Sequence, residues 1–402
     1  MRLYASVGGS VAGRREEQAD IEMMNANSIR PFYALELMAR GQALEAQGRS
    51  VCHLEIGEPG GKPADCVLDA VRGCLDRPMG YTAAKGMPAL RERLSRYYAE
   101  QHGVDVSPER IVVTTGSSSG FILTFLAGFA PGQRIAVTRP GYPAYLNIIA
   151  SLNLGSVEIP VSPANGWRLT AADIEAAYEK SPFEGLLVAS PANPTGAVLE
   201  RDELAAIIAC CDRLGVRFIS DEIYHGLNYV GGDASALEFS HDHVIVNSFS
   251  KYYCMTGWRI GWLVLPEDLI RRAEMMAQSL FISASSVSQC AALAAMEARS
   301  EYDARRDLYA RNRLILSDGL KALGFGLAEP SDGAFYAYVD ASSFTNDTMD
   351  FCLRMLDQAG VAATPGQDFD RTDGHKYVRF SYAGTQETIE MALERMRGFL
   401  QP

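Results

Sequence analysis

Asn247-Ser248-Phe249-Ser250-Lys251, followed by Gly257-Trp258-Arg259-Ile260-Gly261-Trp262, is the segment on which the fold turns. Its lysine lies between two β-type runs, His243 to Asn247 and Arg259 to Leu265. That puts it at a strand end, where open α/β sheets carry their chemistry. Toward the N-terminus, Pro191-Ala192-Asn193-Pro194-Thr195-Gly196 and Asp221-Glu222-Ile223-Tyr224 also stand just past apolar runs. Toward the C-terminus, Tyr377-Val378-Arg379-Phe380-Ser381-Tyr382 ends the last strand-like segment.

From Arg110 onward, short β-type runs alternate with helical stretches. The runs are Ile111–Thr115, Arg134–Thr138, Val157–Val161, Leu186–Ser190, Val216–Ser220, Val244–Ser248 and Ile260–Leu265. The clearest helix is Arg201–Leu214, where Leu204, Ile207, Ile208, Cys211 and Leu214 recur at three- and four-residue spacing. This alternation predicts an α/β fold with a mostly parallel, seven-stranded sheet between helices. Beyond Leu265 the spacing predicts helices over Asp268–Leu280 and Val287–Leu323. A smaller α+β unit follows: strand Ala334–Val339, helix Met349–Ala359, strand Tyr377–Phe380, helix Gln386–Leu400. The expected division is an arm and part of the small domain over 1–50, a large domain over 51–285 and a small domain over 286–402. A chain of 402 residues exceeds one ordinary core, which agrees with two domains.

The order Asn193, Asp221, Tyr224, Lys251, Arg259, Arg379 resembles the active site of fold-type I pyridoxal-phosphate enzymes, in particular the class I/II aminotransferases. The resemblance runs from about Ile29 to the C-terminus. It implies pyridoxal 5'-phosphate as cofactor and an amino group moved between an α-amino acid and a 2-oxo acid.

Such an exchange needs an electron sink that side chains lack, so the cofactor must supply it. Lys251, flanked by Ser250, Phe249 and Tyr252-Tyr253, sits in low local polarity that favours the neutral amine. The resemblance gives it the Schiff base. Asp221 takes the protonated pyridine nitrogen, and Tyr224 and Asn193 the phenolic oxygen. The blander role for Asp221 is a helix N-cap before Ile223-Tyr224. Thr115-Gly116-Ser117-Ser118-Ser119-Gly120, between strand and helix, offers N–H groups and hydroxyls suited to a phosphate. By resemblance Ser117, Ser118, Ser248 and Arg259 complete that site, and Tyr142 stacks on the pyridine face. Arg379 and Gly57 match the family's carboxylate site, a bidentate task that suits arginine. Tyr81, in Tyr81-Thr82-Ala83-Ala84-Lys85-Gly86, matches a tyrosine that reaches the neighbouring subunit's phosphate, which implies a homodimer with shared sites. Two departures from the family pattern, Gly60-Gly61-Lys62 and Lys85, bear on substrate class. No second arginine stands out for a dicarboxylate, so a neutral side chain is favoured.

Rival readings use the same residues. Gly116-Ser117-Ser118-Ser119-Gly120 satisfies a nucleophile elbow with Ser118 as nucleophile and a base such as His375. That hydrolase leaves Lys251, Arg259 and Arg379 without a task. Ser248 and Lys251 also imitate a β-lactamase pair, without its companion motifs. A cofactor-binding regulator would need a DNA-binding module that the first fifty residues do not supply. A C–S lyase or cyclopropane-forming synthase of the same fold shares the core constellation. The net charge of −12 disfavours a nucleic-acid partner. The longest apolar run, Phe121 to Ala130, falls short of a membrane span. The eight cysteines contain no C-x-x-C pair and suit buried, reduced thiols in a cytoplasmic protein. His241-Asp242-His243 lacks further metal ligands nearby. Residues 1–20 read as a loose arm without a secretion signal, and Met23 or Met24 is an alternative start.

Overall fold

Alternate residues of six of the seven expected strands pack on opposite faces of a single sheet; the edge strand near Val157–Val161 packs apolar residues on one face only. Val113, Ala136, Leu186, Phe218, Ile245 and Trp262 contribute to one core, and their neighbours Val112, Ile135, Leu187, Ile219, Val246 and Leu263 to another. The two-residue side-chain period of a strand, with apolar residues at both phases, requires cover on both faces. The computed structural model describes residues 29–401 apart from 328 and 330. The expected N-terminal arm and the alternative start at Met23 or Met24 lie outside the described residues.

Strand β1 is Cys52–His53, β2 Ile111–Thr114, β3 Arg134–Arg139 and β4 Gly155–Pro160. Strand β5 is Gly185–Ala189, β6 Arg217–Asp221, β7 Val244–Ser248 and β8 Gly261–Val264. The large sheet has the order β2-β8-β7-β6-β5-β3-β4. Only β8 runs antiparallel to its neighbours. The expected α/β class and seven-stranded, mostly parallel sheet are therefore observed. One face is covered by helices that include Pro88–His102, Arg201–Leu214 and Ser286–Ala295. The other is covered by Ser117–Gly128, Pro143–Ser151 and Glu267–Leu280. Helix Ser117–Gly128 is apolar almost all round because it is buried almost all round.

A second core forms around β9 (Tyr336–Asp340), β10 (Val361–Ala362), β11 (Thr364–Pro365) and β12 (Tyr377–Ser381). Strands β11, β12 and β9 make an antiparallel sheet, while β1 pairs in parallel with β10. Packing departs from the expected domain boundaries at two points. Cys52 and Leu54 belong to the second core, and helix Ser286–Ala295 to the first. The expected helix over Val287–Leu323 is two helices, Ser286–Ala295 and Arg299–Leu323. No glycine or proline marks the break. It is held from outside, where Arg93 donates to the Met296 carbonyl at 3.2 Å and to Glu297 at 2.7 Å.

The long helix Arg299–Leu323 is tied to the end of β12 by Asn312. Its fully buried amide donates to the carbonyls of Tyr382 at 3.1 Å and Gly384 at 2.9 Å. Asn312→Leu leaves the buried Tyr382 carbonyl and the half-buried Gly384 carbonyl unpaired, so the variant is expected to lose about 1–3 kcal/mol. A urea unfolding curve that matches wild type would contradict this tie.

Candidate active site

The carboxyl ends of β2, β3, β5, β6 and β7 open onto a cavity of about 380 Å³. After these strands the chain delivers, in turn, Ser117 and Ser118, Tyr142, Asn193, Asp221 with Tyr224, and Lys251. Arg259, just before β8, and Arg379, from β12, complete the wall with Gly57. Residues far apart in sequence meet because parallel strands end on one edge.

One end of the cavity is built for an anion. Gly116 caps helix Ser117–Gly128 at φ 82°, a left-handed conformation that favours glycine. A Cβ there would lie 2.6 Å from Arg259 Nη2. A Cβ on Gly261 would lie 2.7 Å from the Asn247 carbonyl and 3.1 Å from the Ser117 nitrogen. The two glycines thus let the helix N-terminus and the Arg259 guanidinium approach each other. Backbone N–H groups at a helix start, beside a guanidinium, attract a phosphate or carboxylate. Ser119 turns inward, donating to the Gly116 carbonyl at 2.9 Å, while Ser117 and Ser118 line the cavity.

Lys251 keeps some surface open to the cavity, but the packing around it strips its amine of bulk water. Nζ donates to the Gly57 carbonyl at 2.5 Å and lies 5.9 Å from the ring centres of Tyr224 and Phe335. Burial, with Arg379 and Arg259 nearby, lowers its pKa to about 8. Asp221 is 2% exposed. Tyr145 donates to one carboxylate oxygen, and the Ile223 N–H reaches the other at 3.2 Å. Burial still raises the Asp221 pKa to about 6, against these hydrogen bonds and the Lys251 charge. A turn, not a helix, follows Asp221, so the N-cap role does not arise.

At the other end Arg379 is held flat, with Cζ 4.3 Å from the Tyr336 ring centre and 4.6 Å from that of Phe369. It donates to Asn193 Oδ1 at 2.9 Å, to the Glu55 carbonyl at 2.6 Å and to Thr364 Oγ1 at 3.2 Å. Its Nε is buried with no partner among the described residues. A side chain on Gly57 would collide with the Tyr336 hydroxyl, which is hydrogen-bonded to Tyr224 at 2.8 Å.

Not every expected residue reaches the cavity. Ser248 is buried behind it, bonded to Ser250 at 2.9 Å and to the Ile260 carbonyl at 3.0 Å, and Ser250 lines the wall in its stead. Tyr81 is 84% exposed and outside this chain's cavity. Lys85 pairs with Glu109 and Lys62 with Asp65, so neither departure from the family pattern touches this wall. None of the six histidines lines the cavity, which leaves Ser118 without a hydrolase base. His375 is bonded instead to the Thr372 carbonyl. His241 meets Arg110, whereas His243 lies between Phe218 and Asp212. Among the described residues no group of three His, Cys, Asp or Glu is arranged to hold a metal. All eight cysteines are free, but only five are buried; Cys66 is exposed and Cys74 and Cys290 are half-buried. Sequence reading passed over Tyr145 and Tyr336. Tyr145 lies in the first turn of helix Pro143–Ser151, three residues after the cap residue Tyr142, and their rings meet edge to face at 5.3 Å. For Tyr336 only the tertiary contact with Tyr224 and Gly57 speaks.

Because the Asp221 pKa is raised by burial, the folded state binds a proton that the unfolded chain has released. Stability therefore falls as pH rises from the ordinary value of 3.8 to about 6, and the deficit persists above that. Asp221→Asn should stabilise the cofactor-free protein at neutral pH by about 2–3 kcal/mol, the size of a shift of this extent. A lower thermal midpoint for that variant at pH 7 would contradict the account.

The chain matches the family described as aminotransferase class I and II over residues 49–396. It is 42% identical to a valine--pyruvate aminotransferase of Mycobacterium tuberculosis, over 92% of this chain and 97% of that one. It is 32% identical to an aspartate/prephenate aminotransferase of Thermus thermophilus, over 92% and 96%. A crystal structure of an aminotransferase from Mycobacterium tuberculosis superposes with a TM-score of 0.90 at 42% identity, covering 93% of this chain and 97% of that chain. A Thermus thermophilus aspartate aminotransferase superposes with a TM-score of 0.87 at 32% identity, covering 93% and 98%. Among the described residues no helix is long and apolar enough to cross a membrane. Both the sequence match and the shared architecture lead to one conclusion: this chain belongs to the class I and II aminotransferases.

Proposed function

We propose that the cavity binds pyridoxal 5'-phosphate and that the enzyme moves the amino group of a neutral α-amino acid to a 2-oxo acid. The observation that carries this reading is the joint burial of Lys251 and Asp221 in one cavity, with an anion cradle at one end and Arg379 at the other. The residues fit the group. The helix start at Ser117, together with Ser118, Ser250 and Arg259, would hold the phosphate. Asp221 would hold the ring nitrogen, Tyr142 the ring face, Asn193 and Tyr224 the phenolic oxygen, and Lys251 the aldehyde carbon. When bound, the cofactor supplies the electron sink that no side chain provides.

Lys251 has a pKa of about 8, close enough to neutrality to take the proton from the substrate's α-carbon and to return it. Arg379, which lines the cavity opposite the anion cradle, binds the α-carboxylate through its guanidinium. The side chain of the substrate meets Phe32, Leu35 and Ile56. Every cation on the wall already has a task, and Glu58 and Asp368 are acidic, so a second substrate carboxylate is disfavoured. The relative named valine--pyruvate aminotransferase at 42% identity supports an aliphatic donor. Tyr81, exposed on a loop tied down by Ser286 and Gln289, is proposed to reach the phosphate in the partner site of a homodimer. A cytoplasmic location is proposed from the eight free thiols.

A single-turnover panel of amino acids tests the reaction. Aliphatic donors should discharge the cofactor's visible band and release one equivalent of the matching 2-oxo acid; release of ammonia or a thiol would overturn the reading in favour of a lyase. Borohydride should fix the cofactor to Lys251, as read by peptide mapping.

Arg379→Ala should weaken amino acids and 2-oxo acids alike by about 1.5–3 kcal/mol, the range for a charge-assisted hydrogen bond. Amines without a carboxylate should be unaffected. Equal loss for both kinds of substrate would mean structural damage.

Mixing Tyr81→Ala/Lys251→Ala double-mutant subunits with wild type tests the shared site. Heterodimers should contain one dead site and one with weakened phosphate binding. One fully normal site would place Tyr81 in its own chain's site.

A further inference from the structure

Glu55 takes no part in the chemistry above, yet its side chain is completely buried. One oxygen meets His53 Nδ1 at 2.7 Å, and the other has no partner among the described residues. Its main chain, by contrast, belongs to the substrate end. The Glu55 carbonyl accepts from Arg379 Nη2 at 2.6 Å and from Thr364 Oγ1 at 2.7 Å, and Gly57 stands two residues on. His53 and Glu55 share a face through the two-residue period of an extended chain.

His53 is held between two carboxylates. While Nδ1 meets Glu55, Nε2 lies 3.4 Å from Glu45 Oε1 on helix Tyr33–Ala46. Ionised carboxylates only accept, so Nδ1 carries the hydrogen toward Glu55, and a proton on Nε2 would face Glu45 and make the ring an imidazolium between two carboxylates. The helix makes room for it. Gly41 is buried within that helix, and a Cβ there would come within 2.8 Å of His53 Cε1. Glycine in a helix interior is unfavourable relative to alanine, so helix stability has been given up where the ring sits.

We infer that Glu45, His53 and Glu55 form a positioning relay for Arg379, and that the grip on the substrate's carboxylate depends on His53 keeping its proton. The inference rests on the transaminase reading of the cavity. A buried carboxylate needs a cation or a proton of its own. Once His53 is neutral, Glu55 keeps the Nδ1–H hydrogen bond but loses the opposing charge, and the backbone that aligns Arg379 and Gly57 is anchored less firmly. The charged groups facing the ring are Glu45 and Glu55. On the packed helix Gln386–Leu400, Arg395 is committed to the carbonyls of Ser50 and Gly360. The paired strand offers only Val361 and Ala362. The hydrogen bond to Glu55, ahead of the Glu55 and Glu45 charges, raises the His53 pKa above its ordinary 6.5. The anchoring is therefore complete below that value and is lost as pH rises through the raised one.

The test follows His53 by NMR in the holoenzyme, with and without 3-methylbutanoate, a carboxylate that cannot react. Saturation should shift the His53 midpoint upward, because linkage is reciprocal. The Kd for 3-methylbutanoate should weaken by about three- to tenfold as pH crosses the midpoint, the scale of up to one pH unit of coupling. His53→Gln should flatten that dependence and raise the amino-acid KM far more than it lowers kcat. Glu45→Gln, a surface change that leaves the core intact, should lower the midpoint by a few tenths of a pH unit, as expected for a half-exposed pair. An unmoved midpoint in either comparison, or a wild-type pH dependence in His53→Gln, overturns the relay. Failure of wild-type holoenzyme to bind the carboxylate at any pH would instead bring down the transaminase reading itself.

Discussion

Withdrawing ionisable groups from water is the constraint on which the rest of this structure depends. Lys251, Asp221, Arg379 and Glu55 stand within or beside one cavity, and each would be costly there without a specific partner. The partners come from several segments of the chain. Tyr145 and the Ile223 N–H serve Asp221, the Gly57 carbonyl serves Lys251, and His53 serves Glu55. Arg379 is satisfied by Asn193, Thr364 and the Glu55 carbonyl and is stacked between two rings. The compensation is incomplete for Lys251 and Asp221, whose pKa values move to about 8 and about 6. That residual misfit is what gives the pair protonation equilibria near neutrality, where proton transfer is most effective.

The two cores divide the labour. The parallel sheet fixes the anion cradle, Asp221 and Lys251, all at or just past strand ends. The antiparallel sheet brings Arg379 in on β12, in register with Tyr338 and Thr364. The substrate end of the cavity therefore rests on the second core, through β1, β10 and the helix that carries Gly41. A substrate spanning the cavity would touch both cores, so its carboxylate and its amine would be held by separately stabilised parts of the fold.

Close approach is the second constraint. Gly116 and Gly261 are glycines because Arg259 and the Asn247 carbonyl occupy the space a Cβ would need. Gly57 is bounded in the same way by Tyr336, and Gly41 by His53. In each case the small residue makes room for a group on another segment, so its importance cannot be judged from local propensity alone.

The sequence by itself determined the α/β class, the seven strands and most of the residues that gather at the cavity. Period-two apolar runs broken by helical spacing leave little choice of architecture, and Lys251, Asp221, Asn193, Arg259 and Arg379 are marked by motifs that extend over neighbouring residues. Only the tertiary structure decided which hydroxyl faces the cavity. Ser248 and Ser250 are alike in sequence, and the choice depends on a bond from Ser248 to the Ile260 carbonyl across the hairpin. It also decided the break at Met296–Ala298, imposed by Arg93 from another helix, and the assignment of Cys52 and Leu54 to the second core. Lys85 and Lys62 read as modifiers of the substrate pocket until their pairing with Glu109 and Asp65 turned them away from it. Tyr336 gained its importance only by contact with Tyr224 and Gly57. Local pattern reports which face of an element is apolar, whereas the partners of Asp221, Lys251 and Arg379 come largely from other segments of the chain, and no spacing rule within one segment encodes them.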